Sequence, residues 1–199
     1  MSDRILSAFE KAMERFESRV KNLPAGHSVK LQYLPVGRNL AARYLHERDF
    51  NLYEALSNYT DPTARKYVLE GVEKSLLDNL TLPEDEEGEQ RNTRVIYALY
   101  QVKEDKPALD QVVKELHHLL NHYRHTRDNA VESLKNSLIQ RYRQINRGKL
   151  NQLPYAEQQR IHQEINLHFR KEKANLLQRL ATQINPELER LKEVIKDIR

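Results

Sequence analysis

The chain has 199 residues, 39% of them hydrophobic and 31% charged, with no cysteine and a formal net charge of +4. That balance, less apolar and more charged than the globular norm of about 45–50% and 25%, suits helices with much surface and a thin apolar seam rather than a compact enzyme. The lack of cysteine excludes disulfides, thiolate catalysis and Cys-based zinc sites. The charged start Met1-Ser2-Asp3-Arg4-Ile5 and the absence of any run near the roughly 18 apolar residues of a membrane span make a cytoplasmic, non-membrane protein the expectation.

Ile5, Phe9, Met13, Phe16, Val20 and Leu23 recur every three or four residues, which predicts an amphipathic helix over about Asp3–Leu23, ended by Pro24 and Gly26. Val29-Lys30-Leu31-Gln32-Tyr33 alternates like a strand but has no second strand to pair with. It reads as an extended segment lying across helices. Short helices follow. Val36–Glu47 carries Leu40, Ala41, Tyr44 and Leu45, and Asp49 is placed to cap a turn holding Leu52 and Leu56. Asp61-Pro62 is a stronger start signal, because Asp accepts from the first free amides and Pro at the first helical position loses no needed bond. The helix it opens, Pro62–Asn79, should bury Ala64, Val68, Val72 and Leu76.

Residues Pro83–Glu89 form an acidic break, read as a mobile loop or the frayed start of the helix Gln90–Glu104, whose apolar face is Val95, Ile96, Leu99 and Val102. Pro107 opens the longest element. Leu109, Val113, Leu116, Leu120, Tyr123, Arg127, Ala130, Leu134, Leu138, Arg141 and Ile145 make a heptad-like seam, faulted at the two arginines. A helix of that length, about 55 Å, needs a partner as long as itself. Gly148, Asn151 and Pro154 mark a turn. The helix after it carries Ile161, Ile165, Phe169, Leu176, Leu180 and Ile184, and Asn185-Pro186 either caps a new helix or kinks the old one. The short connection predicts an antiparallel hairpin.

Three patterns suggest chemistry. His118, His122 and His125 share a face, with Glu115 three residues before His118. This is the Glu-x-x-His step of di-iron bundles, but the chain lacks the second copy such a site needs, since Glu164 and His168 are four apart. A polar helix face explains the same residues. Around the turn, Arg141, Arg143, Arg147, Lys149 and Arg160 gather with Tyr142 and Tyr155, and no acidic residue lies between Glu132 and Glu157. Basic groups neutralise phosphates and tyrosines stack on bases, although a solvated tip or an acidic protein partner fits as well. Pro35-Val36-Gly37-Arg38-Asn39 resembles an anion-binding helix start but lacks the Gly-Lys-Ser/Thr ending of a P-loop. Paired carboxylates such as Glu14 with Glu17 and Glu70 with Glu73 read as solvated faces, with nothing to select an acid and a base.

Charge is uneven along the chain. Residues 107–199 hold 17 Lys and Arg against 11 Asp and Glu, and residues 1–106 hold 16 against 18. Apolar positions beside the main seam (Val112, Leu119, Val131, Ile139, Leu177 and Val194) offer a second edge for the N-terminal helices or for a second subunit. The expectation is an all-α fold, with short N-terminal helices over residues 1–106 and a long, coiled-coil-like antiparallel helical hairpin over 107–199. The expected role is a non-enzymatic interaction or scaffold protein, without cofactor, that binds a protein partner or itself. The alternative is a nucleic-acid-binding protein that uses the basic hairpin tip.

Overall fold

The computed structural model describes residues 25–145 and 154–199. The helix predicted over Asp3–Leu23 lies outside them. Among the described residues there are six α-helices and no strand, so the fold is all-α: α1 Ala25–His46, α2 Leu52–Ser57, α3 Pro62–Asn79, α4 Glu86–Val102, α5 Lys106–Ile145 and α6 Tyr155–Asp197. Two compact units divide the chain. Of the described residues, the first holds 25–80 with Thr93–Lys103, and the second holds Thr81–Asn92 with 104–145 and 154–199.

In the first unit, the strand-like stretch Val29–Tyr33 and the helix predicted at Val36–Glu47 are one helix, α1. The helical period wins because Val29, Tyr33, Val36, Leu40 and Tyr44 also fall on one face, where burial deepens along the chain. Leu31, a member of the alternation, is instead 52% exposed. Pro35 sits inside this helix, at the cost of one backbone hydrogen bond. Residues 35–39 are therefore mid-helix and offer no free amides to an anion. This overturns the anion-site reading.

Gly37 has another use. A Cβ placed there would fall on the Val68 carbonyl oxygen and 2.8 Å from the Val72 amide nitrogen. One placed on Gly71 would fall on the Leu34 carbonyl oxygen and 3.1 Å from the Gly37 Cα. The two glycines thus let the backbones of α1 and α3 touch. Both obstacles are main chain, which cannot swing aside.

Caps fix the short elements. The Asp61 carboxylate accepts from the Ala64 amide at 2.7 Å, with Pro62 leading α3, and Ala64, Val68, Val72 and Leu76 are buried as their spacing predicts. Asn51, rather than Asp49, caps α2 by accepting from the Glu54 amide at 3.2 Å, and it leads directly into the buried Leu52 and Leu56. Arg94 donates to the carbonyl oxygens of Tyr44 and Glu47, a cation placed where the α1 dipole is negative. Lys103, almost wholly buried, pairs with Glu73 at 2.7 Å.

The second unit is built on α5 and α6. Glu115 meets Arg190 at 3.0 Å, and the Glu104 and Asp105 amides donate to the Arg199 carbonyl oxygen, so the two helices run antiparallel. Asp105 caps α5 through the Ala108 amide at 3.0 Å, and Pro107 lies in the first turn. Pro186 is inside a continuous α6, so Asn185-Pro186 opens no new helix. At about 1.5 Å per residue each helix is roughly 60 Å long. The acidic break is partly helical, because α4 starts at Glu86. Carboxylates in a first turn suit the positive end of the helix dipole, and Asp85 accepts from the Gly88 amide at 2.9 Å. The buried Asn92 satisfies both backbone groups of Thr81, donating to its oxygen at 2.7 Å and accepting from its nitrogen at 3.2 Å.

Gly37→Ala and Gly71→Ala should each destabilise the first unit by about 1–3 kcal/mol, since the helices must separate to admit a methyl group. Thermal unfolding followed by circular dichroism checks this. The control, Gly88→Ala, faces tight contacts with Pro83 only and should cost less.

Candidate interaction surface

The seam of α5 changes character along its length. Leu109, Val113, Leu116 and Tyr123 are buried, and so is Arg127 at 8% exposure. Arg127 is not a fault in the seam. It donates to the Pro83 carbonyl oxygen at 2.6 Å, to Glu89 at 3.2 Å and to Asp128 at 2.8 Å, and Arg124 stands 3.6 Å from the same Glu89. These bonds lay the segment Thr81–Asn92 on α5 as a third layer. Burial works against the Arg127 charge, but the bonds to Asp128 and Glu89 outweigh it and raise the pKa of the guanidinium. The same contact with Arg127 pulls the Asp128 carboxyl below its ordinary range. Burial pushes the neighbouring Tyr123 hydroxyl up.

Among the described residues, burial falls away beyond Arg127. Among the described residues of α5 from Asp128 onward, only Leu138 is buried, while Ala130, Val131, Leu134 and Ile139 are half-exposed. On α6, Ile161, Ile165, Phe169 and Leu176 are likewise half-exposed, the first buried residue is Leu177, and Leu167 and Tyr155 are 72% and 76% exposed. Of the edge residues singled out beside the seam, Val112 and Leu177 are buried, whereas Leu119, Val131, Ile139 and Val194 keep contact with solvent. The opposite face of α5 is a shallow polar groove of Asn129, Ser133, Asn136 and Gln140, so the half-covered seam has a clear direction.

Arg141, Arg143, Arg160 and Tyr155 are exposed, Tyr142 is half-buried, and Arg147 and Lys149 lie outside the described residues. No carboxylate among the described residues pairs with Arg141, Arg143 or Arg160. His118, His122 and His125 are exposed on α5, and Glu115 is taken up by Arg190. Among the described residues no three His, Asp or Glu side chains converge as a metal-ligand group. Glu70 and Glu73 are each paired, with Lys30 at 2.6 Å and Lys103 at 2.7 Å.

In the first unit, an open cleft of about 600 Å³ lies between the end of α1 and α2. Its Arg43 stacks over Phe50 at 4.4 Å and binds Glu47 at 3.0 Å, which holds the Glu47 carboxyl below its ordinary range. Glu47, Asp128 and Glu187 are all moved the same way, each by an arginine. They are fixed as anions rather than tuned toward proton transfer near neutrality.

The Arg127 cluster escaped the sequence reading. Its signal was a cation in a seam position with an acidic run of opposite sign upstream. Replacing Arg127 with Met should cost about 1–3 kcal/mol and speed hydrogen exchange at the amides of residues 84–90, which lose their anchor. Asp128 has a lowered folded pKa, so its contribution is complete above about pH 4 and is lost as the pH falls through the lowered value. Asp128→Asn should therefore flatten that part of the acid limb in chemical denaturation measured against pH.

No curated protein and no solved structure matches the chain. The profile of one family, described as a family of unknown function, matches residues 53–197, from within α2 to the last residue of α6, and so takes in the whole hairpin and the segment laid on it. The chain therefore belongs to that family, DUF6657.

Proposed function

We propose that this protein is a non-enzymatic helical interaction protein whose hairpin presents its distal half to a protein partner. The observation that carries this reading is the loss of cover beyond Arg127, where a periodic apolar seam continues on both helices but stays half-exposed. A seam with the spacing of a buried one, left open on one side only, suits docking of further helices. Among the described residues no helix is long and apolar enough to cross a membrane.

A photo-reactive residue at Ile165, on the half-exposed seam, should form protein adducts in cells, whereas one at Asn136, on the polar groove, should form far fewer. Equal yields, or no adduct at Ile165, would overturn the reading.

A second reading, nucleic-acid binding, is favoured by the exposure of Arg141, Arg143, Arg160 and Tyr155 at the ends of α5 and α6 that flank the turn. Anisotropy with single- and double-stranded DNA and RNA at low and physiological salt separates the two. Phosphate contacts weaken steeply with salt, so the interaction reading expects no binding that survives physiological salt. Binding that does survive, and that Arg141→Glu with Arg143→Glu abolishes, would put the second reading first.

A further inference from the structure

We propose that the distal half of the hairpin is closed by a second copy of this chain, packed antiparallel about a two-fold axis near Leu134. The inference rests on the interaction reading above and names the partner.

Its basis is the placement of charge along one helix face. Arg127 and its neighbour Arg124 hold Pro83 and Glu89 against α5, which fixes the acidic run at the level of Arg127. Glu84 and Glu86 of that run are exposed, and neither pairs with a cation among the described residues. Arg141 stands fourteen residues further along α5, which is about 21 Å and four turns away, within roughly 40° of the same face. Arg141 and Arg143 are exposed and meet no carboxylate among the described residues. Between the two charged ends lie Ala130, Val131 and Leu134, half-exposed and free of charge.

The stretch is therefore acidic at one end, basic at the other and apolar between, with its midpoint at Leu134. A surface of that kind is complementary to itself when one copy is turned end for end. A two-fold axis near Leu134 places each acidic run against the other copy's Arg141, and sets the two apolar centres face to face. A parallel copy would instead set like charges together at both ends. Two hairpins joined this way make a four-helix arrangement over the stretch that one hairpin leaves half-covered.

The test uses the full chain in sedimentation equilibrium, with circular dichroism to confirm helicity. The wild-type chain should be a dimer. Arg141→Glu makes both ends acidic, and Glu84→Lys with Glu86→Lys and Glu87→Lys takes the run Pro83–Glu89 from five acidic charges to a net of +1, so that both ends are basic. Each should weaken self-association by at least about tenfold, while an equimolar mixture of the two should recover it as a heterodimer. The lack of native cysteine allows a second measurement that perturbs no charge. Under mild oxidation Leu134→Cys should form a covalent dimer, and Gln140→Cys, on the polar groove, should not.

A monomeric wild-type chain overturns the inference. So does a dimer that ignores both charge reversals, or mutual rescue that fails while both variants stay helical. A monomer whose Ile165 position still captures other proteins loses only this inference. A monomer with no adduct at Ile165 loses the interaction reading as well.

Discussion

Two helices side by side give each other one neighbour, and an amphipathic helix of a globular protein carries an apolar stripe wider than one neighbour covers. Everything in the second unit follows from how that shortfall is met. At Arg124 and Arg127 a third layer is laid on α5, where Pro83 and Glu89 of the segment Thr81–Asn92 are bonded to it. It is held there by charge as much as by apolar contact. A buried guanidinium left alone is costly, and this one is surrounded by a carbonyl oxygen and two carboxylates, so its burial is tolerable only while the segment stays in place. Past Arg127 no such layer is available within the described residues, and the same heptad pattern is left half-wet.

The first unit solves a different problem with different means. Its helices are short, so depth of contact matters more than length. The facing glycines bring α1 and α3 close enough for Leu34, Val68 and Val72 main-chain atoms to approach the other helix directly. Helix ends in so small a unit are a large share of its backbone, and they are met by capping groups: Asn51, Asp61 and, from a distance in sequence, Arg94 on the α1 carbonyls.

What could be read from the sequence was local. The Asp61-Pro62 start, the buried stripe of α3 and the long uninterrupted helix α5 need only neighbours within a few residues, and each appears at its expected place. What could not be read was decided by contacts distant in sequence. Val29–Tyr33 satisfies a period of 2 and a period of 3.6 equally well over five residues, and the face it shares with Val36, Leu40 and Tyr44, in a helix packed closely on α3, selects the helix. Gly37 beside Pro35 has the composition of a turn, yet its lack of a side chain serves a crossing with Gly71, thirty-four residues away. Arg127 counted as a defect while α5 was considered alone. It became an anchor once the acidic run upstream was seen to lie on it. The basic tip was legible as composition, but which of its residues act together depends on the turn that joins the two arms.

An antiparallel hairpin with a charged anchor part-way along restricts how such a protein can change in length. Adding one residue to α5 rotates everything after it by about 100°, which would turn the stripe that runs from Arg127 to Arg141 off its line. Adding residues to α5 alone would also slide Glu115 away from Arg190 or leave an unmatched end. The tolerable changes come in steps of about seven residues, made on both arms together and on the far side of Arg127. Length variation among the members of this family should accordingly be quantised, with the two arms growing or shrinking in concert.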